Sequence, residues 1–145
     1  MKYFIFVLFV ILCITTNSYG ETNLFFGVYT HHFNYRSNLN EQNNVIGIKH
    51  KKLFYTTFEN SNYNRSHFIG YYHHSKLGKI KNVNINWNCY FGALYGYADD
   101  YIDLIDGWSI AILPTIEFQY KKIAIEPIIL PFDGGVFTII INLRF

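Results

Sequence analysis

The sequence predicts an all-β fold: an eight-stranded antiparallel up-and-down transmembrane β-barrel, preceded by a cleaved signal peptide. Three observations carry that prediction. Half of the 145 residues are apolar, 15% are charged and 20% are aromatic, more rings than a water-soluble core of this size can hide. Past residue 20 no apolar run approaches the roughly 20 residues of a transmembrane helix. Instead, segments of about 8 to 12 residues rich in β-branched and aromatic side chains alternate with short Asn, Asp, Gly and Lys clusters, the repeating pattern of barrel strands. Finally, the chain ends on a segment in which Phe137, Ile139, Ile141, Leu143 and Phe145 share one parity while Thr138, Asn142 and Arg144 take the other.

Residues 1–20 read as a secretory signal: Lys2 gives the positive start, Tyr3 to Ile14 the apolar stretch, and Ser18-Tyr19-Gly20 a small-x-small cleavage site. Residues 21–145 then form the barrel domain. Ile11 and Leu12 stand where a lipoprotein signal needs small residues before Cys13, so no lipid anchor is expected. Cys13 leaves with the signal, and Cys89 has no intramolecular partner for a disulfide. A lone Cys in a strand is expected to act as a small buried hydrophobe.

The eight strand segments run roughly Leu24 to Phe33, Asn44 to Lys51, Lys52 to Asn60, Ser66 to Ser75, Val83 to Tyr97, Trp108 to Tyr120, Ile123 to Leu130 and Gly135 to Phe145. The sixth places Ile110, Ile112, Ile116, Phe118 and Tyr120 on one face, and Ser109, Thr115, Glu117 and Gln119 on the other. A carboxylate does not face lipid, so the Glu117 face is expected to line the lumen. Antiparallel strands put successive connections at alternate ends. Sorted this way, the even connections hold Lys49, Lys51, Lys52, Lys76, Lys79, Lys81, Lys121 and Lys122, and the odd ones hold Glu41, Glu59, Asp99, Asp100, Asp103, Asp106 and Asp133. The lysine end is expected to face the periplasm.

Pro114 in the sixth segment, Pro127 in the seventh and Pro131 beyond it each lack an N–H for the ladder. They fit strand ends or bulges, or else a weakly bonded seam through which an acyl chain enters. At the opposite end from the lysines, His31 and His32 close the first strand and Asn60 and Ser61 close the third. Only one His of the pair can look into the lumen. Leu24, Phe26 and Val28 share parity with His32, which favours His32 and makes these apolar residues the expected lumen side of strand one. A His within reach of a Ser hydroxyl can act as a general base, the minimum that acyl transfer requires.

The stretches Thr30-His31-His32-Phe33, Asn40-Glu41, Phe58-Glu59-Asn60-Ser61 and Ile69-Gly70-Tyr71, the proline-bearing strands and the terminal Phe145 together resemble the lipid A palmitoyltransferase family. Its members are eight-stranded outer-membrane barrels that move an acyl chain from a phospholipid to lipid A. The pattern is also similar to small barrel-like proteins encoded by some phages. The resemblance implies a catalytic set at His32 (or His31), Asn60 and Ser61. Asn60 stands where that family has an Asp, and the mature chain lacks the amphipathic helix that precedes the first strand in those enzymes. The resemblance further implies phospholipid and lipid A as partners and the bacterial outer membrane as location. The terminal strand ending at Phe145 is expected to be read by the membrane-insertion machinery, and the barrel to be a monomer.

The other reading, from a different class, is a non-enzymatic barrel that alters or protects the cell surface. A channel ranks third, because side chains fill an eight-stranded lumen. No cofactor and no metal are expected. Asp99, Asp100, Asp103 and Asp106 lack the Gly and terminal Glu of a calcium loop and read as a solvated acidic loop. His50, His67, His73 and His74 follow no ligand spacing. There is no phosphate-binding Gly loop and no basic stripe for nucleic acid.

Overall fold

The computed structural model describes residues 22–33, 39–97, 105–130 and 135–145. The expected signal peptide, Asp99, Asp100, Asp103, Pro131 and Asp133 lie outside them. The strands are β1 (Thr22–His32), β2 (Ile46–His50), β3 (Leu53–Glu59), β4 (Arg65–Ile80), β5 (Val83–Tyr95), β6 (Trp108–Tyr120), β7 (Ile123–Leu130) and β8 (Val136–Arg144). Each pairs antiparallel with its chain neighbour, and β8 returns to β1, so the sheet is a closed eight-stranded barrel. All eight expected strands are present. The largest boundary difference is in β4, where Lys76-Leu77-Gly78-Lys79-Ile80 reads as a connection but continues the strand through a bulge against β5. Cross-strand pairing there overrides the low strand propensity of Lys and Gly.

Side chains alternate across the wall as the period of two demands. Ile110, Phe118, Ile123, Ile125 and Ile129 point outward and are exposed, whereas Ser109, Thr115 and Glu117 are buried in the lumen. Strand β1 departs from this simple alternation. A bulge between Gly27 and Tyr29 shifts its register against β8. Asn23 and Phe25 are therefore buried below the bulge and Thr30 and His32 above it, while Phe26 and Val28 are exposed. The expectation that Leu24, Phe26 and Val28 form the lumen side is thus corrected, because the extra residue reverses the parity. His32 still faces inward, for a reason that strict alternation does not supply.

The interior is amphipathic along the barrel axis. Toward the lysine-rich end it is polar. Glu126, fully buried, accepts hydrogen bonds from Asn88 at 3.0 Å, Tyr90 at 2.8 Å, Asn142 at 3.1 Å and Thr115, and it pairs with Lys49 at 3.3 Å. Glu117 meets Arg144 and accepts from Asn86 at 2.9 Å. Lys49 was expected in the connection after β2, but it is 1% exposed inside the lumen. Strand β2 runs to His50 and its parity turns Lys49 inward, where the ammonium lies 4.6–5.1 Å from the ring centres of Phe25, Tyr72 and Tyr90. Charges removed from water are tolerated only when paired and hydrogen-bonded in this way.

Toward the other end the interior is apolar, built on Phe54, Phe68, Tyr90 and Leu94 on one side and Phe25, Ile128 and Ile140 on the other. Gly70 and Gly92 face each other across β4 and β5. A Cβ on either would stand 2.0–2.1 Å from the opposite strand's carbonyl oxygen, so only glycine permits this close approach.

The wall is not equally bonded all round. Strands β6 and β7 pair only from Phe118↔Ile125 to Tyr120↔Ile123. Above that, β6 is paired with β5 as far as Trp108, and β7 with β8 as far as Leu130. Pro114 and Pro127 lie within the unpaired stretches, where their missing N–H groups give a ladder nothing to bond.

Candidate functional site at the acidic rim

His32 is the last residue of β1, held against Val136 of β8, and it is 7% exposed. Its Nε2 lies 2.8 Å from Ser61 Oγ, the hydroxyl of the β3–β4 loop. The two residues are far apart in sequence and meet because β1 and β3 both end at this rim. His31 points the other way. Its ring stacks beside Tyr29, meets Phe33 edge-on, and its Nδ1 pairs with Glu41 at 3.2 Å in a half-exposed contact.

Ser61 is positioned by the first loop. The Asn40 N–H donates to the Ser61 carbonyl at 2.9 Å, and Glu59 and Asn43 are tied by two further bonds of 2.8 and 2.7 Å. The buried Asn40 also folds its own loop by accepting from the Gln42 N–H at 2.8 Å. A short polar side chain that bonds nearby backbone is the usual means of fixing such loops.

Asn60 does not join the His32–Ser61 pair. Its Oδ1 accepts from the N–H groups of Asn62 and Asn64 at 2.9 and 3.0 Å, and its Nδ2 donates to Ser66 Oγ at 3.1 Å and to the Gly96 carbonyl at 2.8 Å. The fully buried amide thus ties the Ser61 loop to β4 and to the end of β5. An aspartate could accept the first two bonds but would set a carboxylate oxygen against the Gly96 carbonyl. Asn60→Asp is therefore expected to lower barrel stability by about 1–3 kcal/mol, read as an earlier loss of the unboiled gel band on heating. An unchanged transition would show that the donor half of the amide is dispensable.

Below the pair lies a cavity of ≈ 330 Å³ lined almost wholly by apolar groups, with Ser61, Thr30 and Thr138 at its polar end. Ile110, Ala111, Ile112 and Leu113 all line it, although consecutive strand residues point to opposite faces. The cavity therefore reaches the unpaired β6–β7 seam. Its floor is Tyr90, whose hydroxyl meets Lys49 and Glu126 beneath. The buried Lys49–Glu126–Tyr90 cluster was missed as a unit by sequence reasoning. The available signal was Glu126 inside an apolar segment, a carboxylate that must find a cation in the lumen.

Fold and site together define a closed eight-stranded β-barrel with an apolar cavity lined in part by Ser61, whose hydroxyl is bonded to His32. No family model matches the chain, and no curated protein matches it either. Among the described residues no group of three His, Cys, Asp or Glu side chains could hold a metal ion.

Proposed function

We propose that this chain is an outer-membrane acyltransferase-like barrel that moves an acyl chain from a phospholipid to lipid A or a related lipid. The observation that carries the reading is the Ser61 hydroxyl, which lines an apolar cavity and is hydrogen-bonded to the imidazole of His32. Its ≈ 330 Å³ falls within the roughly 300–1,000 Å³ of small-ligand pockets. In this scheme an acceptor hydroxyl attacks the carbonyl carbon of the donor ester and gives its proton to Ser61 Oγ, whose own proton passes to His32 Nε2. The bond to the glycerol oxygen then breaks, and that oxygen takes the proton from His32. Ser61 holds the imidazole Nε2 at the rim, Asn60 keeps the Ser61 loop in place, and the seam between β6 and β7 admits the acyl chain from the side.

The outer surface supports a membrane location. Tyr55, His67, Tyr95 and Trp108 form a row of neighbouring rings across β3 to β6. At the far end of β6 stands Tyr120, exposed like Ile110 and Phe118 between. At about 3.4 Å per residue and a tilt of about 40°, Trp108 and Tyr120 are separated by roughly 30 Å along the axis, close to a hydrocarbon core with aromatic girdles at both edges. Closure of β8 on β1 removes the two terminal sheet edges, in keeping with a monomer, and the strand ending at Phe145 supplies the apolar outer face that insertion machinery would read.

The test is mass spectrometry of lipid A from cells that express the full chain and, in parallel, from cells that do not. One added acyl chain is expected only with the protein. Unmodified lipid A alongside correctly inserted barrel would overturn the enzyme reading in favour of a non-enzymatic surface barrel.

A further inference from the structure

We infer that the lysine-rich end of the barrel is a docking face for the phosphate groups of anionic phospholipids, anchored by the β4–β5 hairpin. The inference rests on the proposed membrane location but not on catalysis. Lys51, Lys52, Lys76, Lys79, Lys81, Lys121 and Lys122 are all exposed there, and among the described residues no exposed Asp or Glu side chain shares that end. Exposed Glu41 and Asp106 sit at the opposite rim.

Three of these lysines occupy an unfavourable backbone conformation. Lys51, Lys81 and Lys121 begin the three tight turns of this end, with φ of 54°, 52° and 53°. Such left-handed positions favour Gly or Asn over a residue with a long side chain. A lysine stands in all three turns against that steric preference, which points to a use for the charge.

The β4–β5 hairpin adds an apolar element. The last bond from β4 toward the β2–β3 turn is Tyr72 N–H to the Lys52 carbonyl, and from His73 to Ile80 the strand is paired only with β5. Lys76 and Lys79 pair with Asn86 and Asn84 and share their inner face, whereas Ile80 pairs with Val83 on the outer face. Leu77, the bulge residue, is 61% exposed and Ile80 64%. The hairpin thus presents apolar residues beside cations, the combination that seats a protein segment at the boundary between acyl chains and headgroups. Each lysine close to an anionic leaflet is expected to tighten association roughly fivefold, less at high salt.

The full chain, folded in neutral detergent, is exposed to phosphatidylglycerol or to phosphatidylcholine of the same acyl chains, and bound lipid is counted by native mass spectrometry. The phosphatidylglycerol preference is expected to exceed about a hundredfold and to fall by roughly that factor in the triple variant Lys76→Gln, Lys79→Gln, Lys81→Gln. Leu77→Ser with Ile80→Ser should weaken retention of both lipids alike. Equal retention of the two lipids by a wild-type barrel with heat-dependent gel mobility would overturn the docking face and leave the membrane reading standing. Displacement of phosphatidylglycerol by excess inorganic phosphate would show a site for the free anion and overturn the lipid as its ligand. Failure to insert into phosphatidylcholine vesicles would overturn the membrane reading, and this inference with it.

Discussion

Replacing His32 by alanine should leave the barrel folded and cut acyl transfer by about a hundredfold or more, the usual share of a general base. Among the described residues at the end of β1, the imidazole is the group that is both inward and within bonding distance of the Ser61 hydroxyl. His31→Ala should do far less, since His31 points outward to Glu41. Ser61→Ala removes the partner of Nε2 and should lower activity with the Asn40–Ser61 backbone bond retained. Each variant is scored by the fraction of lipid A carrying an added chain, normalised to folded barrel from its unboiled gel mobility. Activity that survived both His32→Ala and Ser61→Ala would place the chemistry elsewhere.

The second large effect lies in the polar floor. Glu126→Leu should destabilise the barrel by about 3–5 kcal/mol, because it strands the Lys49 ammonium in a lumen where it is 1% exposed. The rings of Phe25, Tyr72 and Tyr90 give that cation partial shelter but no counter-charge. Asn88, Asn142, Tyr90 and Thr115 lose their shared acceptor as well. Lys49→Met combined with Glu126→Leu removes both charges and should be less damaging than Glu126→Leu alone. Urea titration of the folded barrel in detergent measures the difference. A double variant as unstable as the single one would mean that the cost comes from the neutral hydrogen-bond donors and not from the stranded charge.

These two sites were legible in the sequence to different degrees. His32 and Ser61 could be named because strand count and alternation bring the ends of β1 and β3 to one rim. Leu24, Phe26 and Val28 share the sequence parity of His32 but not its face, since the bulge at Gly27/Tyr29 is invisible to a period-two count. Asn60 could be singled out but not assigned its task. An amide and a carboxylate differ by a donor, and only the position of the Gly96 carbonyl shows that the donor is used. Lys49 reads in the sequence like a turn lysine because its neighbours Lys51 and Lys52 are turn residues. One residue of strand, from Lys49 to His50, separates a solvated cation from a buried one.

What the sequence by itself determined is the class of fold, the number of strands, the inward face of β6 and the placement of the turn lysines at the end opposite Glu41 and Asp106. All of these follow from local periodicity, from the spacing of turn residues and from the cost of burying charge. Tertiary structure alone decided the split of the lumen into a charged floor and an apolar cavity, the pairing of Lys49 with Glu126, the extent of the β6–β7 break that Pro114 and Pro127 only suggest, and the projection of the β4–β5 hairpin. Those features depend on stagger between strands distant in the chain, which sets who faces whom across the lumen. No single strand's alternation contains that information.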